Sequence, residues 1–339
     1  MQKVRLADIA QKVGVSTVTV HNALSGQKGV SEQLRARIWE QAEKMGYQPR
    51  TSAKKQSGQA QLAKIVVLVR EQYAAQYTTF YWKMYEQMAA AAAGRACFTV
   101  IETVRREHEA AALLPEAVSD PSVAGIIVMG PFARGYLRSL RRQTDLPLVF
   151  LDYYDNDVAR DAVVADNFHG AYLMTDHLLS QGVSRLAYVG SIHASGSIMD
   201  RYCGFRKALF EYRRDLPPEW LIEDRDSAGN IGFSLPEHLP QAFVCSSDLT
   251  AGMVMTRLGE RGCRVPEDIL VVGFENYCCP GSADLDITTY DVDTEAMAQL
   301  ALERMLAKIA DPRNGCALRT VNGHMICRRS SVRDRQAEN

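Results

Sequence analysis

The chain has 339 residues, 47% of them hydrophobic and 23% charged, with a formal net charge of -1. That length suggests two or three domains, and the composition is that of a soluble globular protein. No apolar run reaches the roughly 18 residues needed to span a bilayer, and the opening Met1-Gln2-Lys3-Val4-Arg5-Leu6 has neither an apolar core nor a small-residue cleavage site. The expectation is a cytoplasmic protein without a membrane partner, and its eight scattered cysteines, which lack paired metal-site spacing, read as reduced thiols.

The near-zero total hides an asymmetry. Residues 1–60 hold ten lysines and arginines against four acidic residues, a net of +6, and the remaining 279 residues carry -7. A basic head on an acidic body suits a nucleic-acid contact confined to one end, because phosphate neutralisation supplies most non-specific affinity. A solvated basic arm would carry the same charge.

In chain order, Leu6, Ile9, Ala10 and Val13 recur at helical spacing, and Gly14 ends that segment as a C-cap. Ser16 can cap a second short helix, Thr17 to Leu24, with Val18 or Val20 facing inward. A loop over 25–29 follows, then Ser31 caps a third helix with the stripe Leu34, Ile38, Ala42 and Met45, closed by Gly46 and Pro49. Two short helices joined by a tight glycine turn, backed by a third, form a helix-turn-helix whose second helix can lie in a major groove. Periodicity alone fits a three-helix bundle of another purpose equally well.

The wording of this segment is more specific. Leu6-Ala7-Asp8-Ile9-Ala10, Gly14-Val15-Ser16-Thr17-Val18-Thr19-Val20, Val30-Ser31 and Ala42-Glu43-Lys44-Met45-Gly46-Tyr47-Gln48-Pro49 closely resemble the head of the lactose/galactose-repressor (LacI/GalR) family, without gaps over about fifty residues. The resemblance implies that Thr17, Val18 and Asn22 read bases and that Ser16, Thr19 and His21 hold phosphates. Thr17 and Asn22 can hydrogen-bond base edges, and Val18 can pack on a thymine methyl. His21-Asn22 replaces the family's usual Ser-Arg, so an unusual operator is expected. Residues 50–58 match the family's hinge helix, but its minor-groove wedge is here Gln56, an amide that cannot unstack bases as an apolar wedge does. Lys54 and Lys55 can still reach phosphates, and a flexible Ser/Gln/Gly linker over 51–61 is the alternative.

From Lys64 onward short apolar runs alternate with amphipathic stretches. The expected strands are Ile65–Val69, Phe98–Ile101, Gly125–Met129 and Leu148–Asp152, then a second set, Val163–Ala165, Leu186–Val189, Ala242–Cys245 and Leu270–Phe274. Helices are expected over 78–93, 107–119, 168–181, 201–213, 248–262 and 294–310. The fold class is therefore α/β: a three-helix helix-turn-helix head plus a two-lobed body of parallel sheets. Asp166-Asn167-Phe168-His169-Gly170-Ala171, Asp200-Arg201-Tyr202-Cys203-Gly204-Phe205 and Val265-Pro266-Glu267-Asp268-Ile269-Leu270 extend the family resemblance to about 60–330. It implies a periplasmic-binding-protein-like body with crossovers near 160, 290 and 322 and a ligand between the lobes, at the strands' C-terminal ends. The expected divisions are 1–49 for the head, 50–61 for the hinge and 62–335 for effector binding and dimerisation. Lobe 1 would be 62–160 with 290–321, and lobe 2 would be 161–289 with 322–335.

The candidate effector residues are Tyr77, Phe80, Tyr81, Asp152, Arg201, Ser247, Asp248 and Glu275. Asp152 ends a strand and can accept hydrogen bonds from ligand hydroxyls. Arg201 opens a helix after Ser195-Gly196-Ser197 and can fork onto hydroxyls or a carboxylate. Glu275 follows Leu270–Phe274 where the family more often has Asp, and Ser247 stands where it often has Asn. Flat aromatic faces suit sugar rings. The alternatives are Asp152 or Asp248 as helix caps, the aromatics as core or dimer packing, and Arg201 as a structural ion-pair residue. No catalytic motif, nucleotide loop or metal spacing is visible, so neither enzyme activity nor a cofactor is expected. The expected partners are a palindromic DNA operator, a second copy of the chain, and a small effector, by resemblance a sugar or sugar derivative. A protein partner on the body surface is the alternative source of control.

Overall fold

The computed structural model describes residues 6–24, 30–45, 47, 62–74, 80–155, 157–159, 161–226, 229–277 and 286–332. The chain divides into two compact units, Met1–Gln61 and Leu62–Asn339.

The first unit is built of α1 (Leu6–Val13), α2 (Thr17–Leu24) and α3 (Glu32–Lys44). Each contributes two apolar residues to one small core: Ile9 and Ala10, Val20 and Ala23, Ile38 and Ala42. Gly14 takes a φ of +78°, the left-handed conformation that lets the chain turn from α1 into α2 without a Cβ clash. The Ser16 hydroxyl accepts from the Thr19 amide at 3.0 Å, and Ser31 does the same for Leu34 at 3.4 Å, so α2 and α3 begin at the anticipated serines. Of the two valines offered for the inward face, Val20 is buried and Val18 is 65% exposed.

In the second unit β1 (Ala63–Arg70) is followed by α4 (Glu71–Ala74), α5 (Phe80–Ala93), β2 (Cys97–Val104), α6 (Arg106–Ala110), β3 (Val123–Met129), α7 (Arg134–Gln143), β4 (Leu148–Leu151) and β5 (Ala162–Ala165). Next come α8 (Asn167–Ser180), β6 (Leu186–Val189), α9 (Gly196–Glu211), β7 (Leu221–Ile222), β8 (Ala242–Cys245), α10 (Asp248–Glu260) and β9 (Leu270–Val272). The chain finishes with β10 (Thr289–Asp291), α11 (Thr294–Ala310), β11 (Leu318–Val321) and β12 (His324–Ile326). One parallel sheet has the order β11-β5-β4-β3-β1-β2 and a second has β7-β6-β8-β9. Ile65, Val67 and Val69 point into one core and Val66 and Leu68 into another, as in a parallel strand covered on both faces.

Four expectations need correction. Val163–Ala165 lies in the first sheet rather than the second, beside β11, because Ala162–Ala165 pairs in register with Leu318–Val321. The chain therefore leaves lobe 1 after Ala165, not near 160. The helix expected over 107–119 is one short turn, Arg106–Ala110, and a 3-10 turn, Glu116–Ser119. Pro115 disfavours the helical conformation at Leu114 and supplies no amide of its own. The helix expected from 201 begins at Gly196, because the Ser195 hydroxyl takes the Ile198 amide at 3.1 Å, and Arg201 sits in its second turn. The strand expected to reach Phe274 stops at Val272. From there the chain turns onto β10, with the Gly273 amide on the Thr288 carbonyl and the Glu275 amide on the Tyr290 carbonyl.

Among the described residues, three segments join the lobes. Two leave the first sheet side by side as β5 and β11, and the Asp166 amide reaches the Val321 carbonyl at 3.0 Å. The third returns through β10, which pairs antiparallel with β12. The β5–β11 edge is held by Asp161, fully buried, which takes Arg304 at 2.9 Å and Lys308 at 2.5 Å from α11 and the Ala317 amide at 3.2 Å. None of the described helices is long and apolar enough to cross a membrane.

Helices α8 and α9 touch backbone to backbone. A Cβ on Gly204 would stand 2.0 Å from the Phe168 carbonyl oxygen, whereas one on Gly259 of α10 would meet nothing within 4 Å. Gly204→Ala is expected to force the helices apart and destabilise the body by roughly 1–3 kcal/mol. Gly259→Ala should stabilise it by roughly 0.5–1 kcal/mol through helix propensity. Opposite shifts in melting temperature check the pair, and a neutral Gly204→Ala would refute the close contact.

Candidate nucleic-acid interface and ligand cleft

The 3.6-residue period of α2 sorts its side chains. Val20 and Ala23 enter the core, while Thr17, Val18 and His21 are exposed and Asn22 is half-buried on the opposite side. The helix is short, and tertiary contacts hold it. Arg35 of α3 donates to the carbonyls of Asn22 at 3.3 Å and Ala23 at 2.9 Å, satisfying acceptors of the last turn. At the other end the Ser16 and Thr19 hydroxyls lie 2.8 Å apart. The sequence-derived DNA residues Ser16, Thr17, Val18, Thr19, His21 and Asn22 thus belong to one short helix and its cap. Lys54, Lys55 and Gln56 lie outside the described residues.

In the body the candidates collect where strands end. Asp152 follows β4 with a φ of +57°, and Glu275 follows β9 with a φ of +100°, so both leave their sheets through strained turns. Asp152 Oδ2 accepts the Tyr81 hydroxyl at 2.8 Å. Arg201 is 3% exposed, and its Nε donates to Asn167 Oδ1 at 2.8 Å. Its Nη1 donates to the Ser246 carbonyl at 2.5 Å and to Glu275 Oε1 at 2.8 Å, and its guanidinium lies 4.0 Å over the Phe274 ring. Burial works against the Arg201 charge, but Glu275 and Asp152 outweigh it and hold the group above its ordinary value.

Other candidates fall elsewhere. Phe80 is buried and packs in the central core. Ser247 caps α10, its hydroxyl accepting the Thr250 amide at 3.2 Å. The expected cap role therefore falls to Ser247 rather than Asp248. Asp248 is the first residue of α10. It is buried, takes the Tyr277 amide on Oδ2 at 2.9 Å, and has no hydrogen-bond partner on Oδ1 among the described residues. Tyr77 lies outside the described residues.

A cavity of about 380 Å³ opens beside this cluster. Phe132, Arg134, Tyr153 and Tyr154 line it from the first lobe, and His193, Ser195, Ser197 and Asp200 from the second. Asn167, the partner of Arg201, is also in its wall. The Arg201 and Asp152 clusters therefore stand directly behind the cavity. None of these lining side chains except those of the Ser195–Ser197 loop had been singled out by sequence reasoning. Their signal was positional, since Tyr153 and Tyr154 follow β4 and His193 follows β6.

Two matches place the chain among known proteins. Residues 5–50 match the bacterial regulatory proteins of the lacI family, and residues 175–331 match a periplasmic binding protein-like domain. The chain belongs to the LacI family. One relative, the HTH-type transcriptional repressor PurR of Aliivibrio salmonicida (strain LFI1238), is 24% identical over 336 residues, covering 96% of this chain and 98% of the relative. The fold is shared with a transcriptional regulator CelR–cellobiose complex at 19% identity and a TM-score of 0.67, covering 97% of this chain and 100% of that one. It is also shared with the lac repressor dimer bound to operator and the anti-inducer ONPF, at 20% identity and a TM-score of 0.66, covering 98% and 100%. As a LacI-family chain it is a DNA-binding transcriptional regulator.

Two buried carboxyls make a measurable signature. Burial pushes Asp152 up to about 6 against the opposing pull of Arg201 and the Tyr81 hydroxyl, and burial pushes Asp248 up to about 7. Both values exceed the unfolded-chain value of about 3.9. Their contribution to stability is therefore full below about pH 4 and is lost as pH rises through about 6 and about 7. Asp248→Asn removes one titration, so its melting temperature relative to the parent should climb between about pH 4 and about pH 7 by a few degrees and then level off. A difference that stays constant with pH would show that Asp248 does not titrate in that window.

Proposed function

We propose that this chain is a repressor that grips a palindromic operator as a homodimer and whose grip is set by a small hydroxyl-bearing molecule in the cleft between its lobes. The observation that carries the DNA half is the two-sided α2. Val20 and Ala23 anchor it to the head, and Thr17, Val18, His21 and Asn22 carry hydrogen-bonding and methyl-packing groups away from that core. Thr17, Val18 and Asn22 take base edges, while Ser16, Thr19 and His21 take phosphates. Lys54 and Lys55 add phosphate contacts next to Gln56. The name of the PurR relative supports repression, and the operator-bound dimer of the lac repressor supports two heads on adjacent half-sites.

The effector half rests on the cavity and on Asp152, Tyr81, Arg201 and Glu275 behind it. A ligand that closes the cleft moves one lobe against the other, and a coupling of about 1–3 kcal/mol changes operator affinity roughly 5–150-fold. A sugar or sugar derivative fits this wall of aromatic rings and hydroxyls, and the cellobiose complex of CelR supports that class.

Selection of the full chain against random duplexes should return a palindrome. Asn22→Ala should then lose discrimination at one base pair in each half-site by about 1–3 kcal/mol, with non-specific binding nearly unchanged. A palindrome preserved at full specificity in Asn22→Ala would remove Asn22 from the reading set, and the return of no sequence preference would overturn the proposed function.

A further inference from the structure

Helix α7 is two-faced in charge as well as in burial. Tyr136, Leu137 and Leu140 enter a core of lobe 1. The 3.6-residue period gathers Arg134, Arg138, Arg141 and Arg142, all exposed, on about a third of the circumference away from that core. The helix holds no acidic residue, although residues 61–339 together carry a net charge of -7. The segment after β4 answers only the first two arginines. Arg134 Nε is 3.6 Å from Asp155 Oδ2, and Arg138 Nη2 is 3.3 Å from Asp157 Oδ2. Arg141 Nη1 donates to the Leu146 carbonyl at 3.4 Å, and neither Arg141 nor Arg142 has a carboxylate partner among the described residues.

The place of this free pair in the lobe decides what it meets. Helix α7 starts beyond the C-terminal end of β3 and runs back to the turn that opens β4, so Arg141 and Arg142 reach the edge of the sheet where its strands begin. β1 begins at the same edge, parallel to β3 and β4, with its start two strand spacings, roughly 10 Å, from that of β4. The chain enters the body from the head at Leu62, immediately before β1. In the turns that open β3 and β4 the acids are Asp120, which Lys64 neutralises at 2.7 Å, and Asp145. Exposed guanidiniums hold a single small anion weakly in salt, whereas along a polyanion each one releases condensed counterions. A duplex gripped by the head is tethered to this edge by residues 50–61, whose full reach is roughly 40 Å, so its phosphates are at high effective concentration here. Resting on the head as the DNA-reading unit, we propose that α7 is a second DNA-contacting surface, on which Arg141 and Arg142 fork onto duplex phosphates beside the operator. The contact adds affinity and salt dependence and carries no sequence information.

The test measures binding of the full chain to one fixed random-sequence duplex of about 60 base pairs, between about 0.05 and about 0.2 M salt. Arg141→Gln combined with Arg142→Gln should lower the slope of log affinity against log salt by about 2 per chain, and weaken binding at about 0.1 M salt at least tenfold. Arg141→Lys combined with Arg142→Lys keeps the charge and should retain the slope. Arg213→Gln combined with Arg214→Gln removes the same charge from an exposed pair after α9 in lobe 2, and should leave the slope unchanged. All three variants should melt with the parent, because the side chains are exposed. An unchanged slope in the α7 glutamine variant, or an equal loss in the lobe 2 variant, overturns the contact while the head's reading stands, and leaves the arginine face to a partner other than DNA. A parent chain that binds no duplex even at the lowest salt overturns the reading of the head along with it.

Discussion

Arg201 is a cation with almost no water around it, and four segments of the body are arranged to make that tolerable. It rises from α9 and takes its partners from Asn167 at the start of α8, from the Ser246 carbonyl after β8, and from Glu275 after β9, with Phe274 beneath it. Removing a partner from a buried charge commonly costs several kcal/mol, so each of these segments is held to the others. The close approach of α8 and α9 at Gly204 serves the same end, because it brings Asn167 within reach of Arg201. The strained backbone at Glu275 is the local cost of turning that carboxylate toward the guanidinium.

The head works from an opposite principle. Its helices are short, and α2 taken alone would not persist in water. It persists because Val20 and Ala23 seat in the core with Ile9 and Ile38, and because Arg35 and Ser16 satisfy its two ends. Binding groups can therefore occupy the rest of its surface without serving stability. That division is why Val18, an apolar residue, stays exposed next to polar neighbours.

Much of this was legible from residue order. Leu186–Val189 and Ala242–Cys245 are buried strands with the bounds that their apolar runs announce, and α11 fills the whole of 294–310. Ser16 and Ser31 announced their helices because capping is a local hydrogen bond. What was not legible was non-local. Val163–Ala165 reads the same whichever sheet it joins, and only pairing with the exposed strand β11 assigns it. Helix α7 escaped notice because its apolar stripe, Tyr136, Leu137 and Leu140, is embedded among four arginines. At the cleft, Asp152, Arg201, Glu275 and Tyr81 were recognisable by position and resemblance. Their engagement with one another was not, since it depends on distances between strand ends in different sheets. Phe80 and Tyr81 are neighbours with opposite fates, one in the core and one on Asp152, and no composition rule separates them.

The connection between the lobes has a mechanical meaning. β5 and β11 are zipped to each other as they leave one sheet, and β10 and β12 are zipped as they meet the other. Arg304 and Lys308 rivet the first pair to α11 through Asp161. Three separate threads would let the lobes sway, slide and splay independently. Laced together they behave as one short cable, which bends and twists as a unit but resists shear between its strands. The lobes are left with essentially a single swivel, so whatever tightens the mouth of the cleft must reorient the far ends of the sheets by the same stroke.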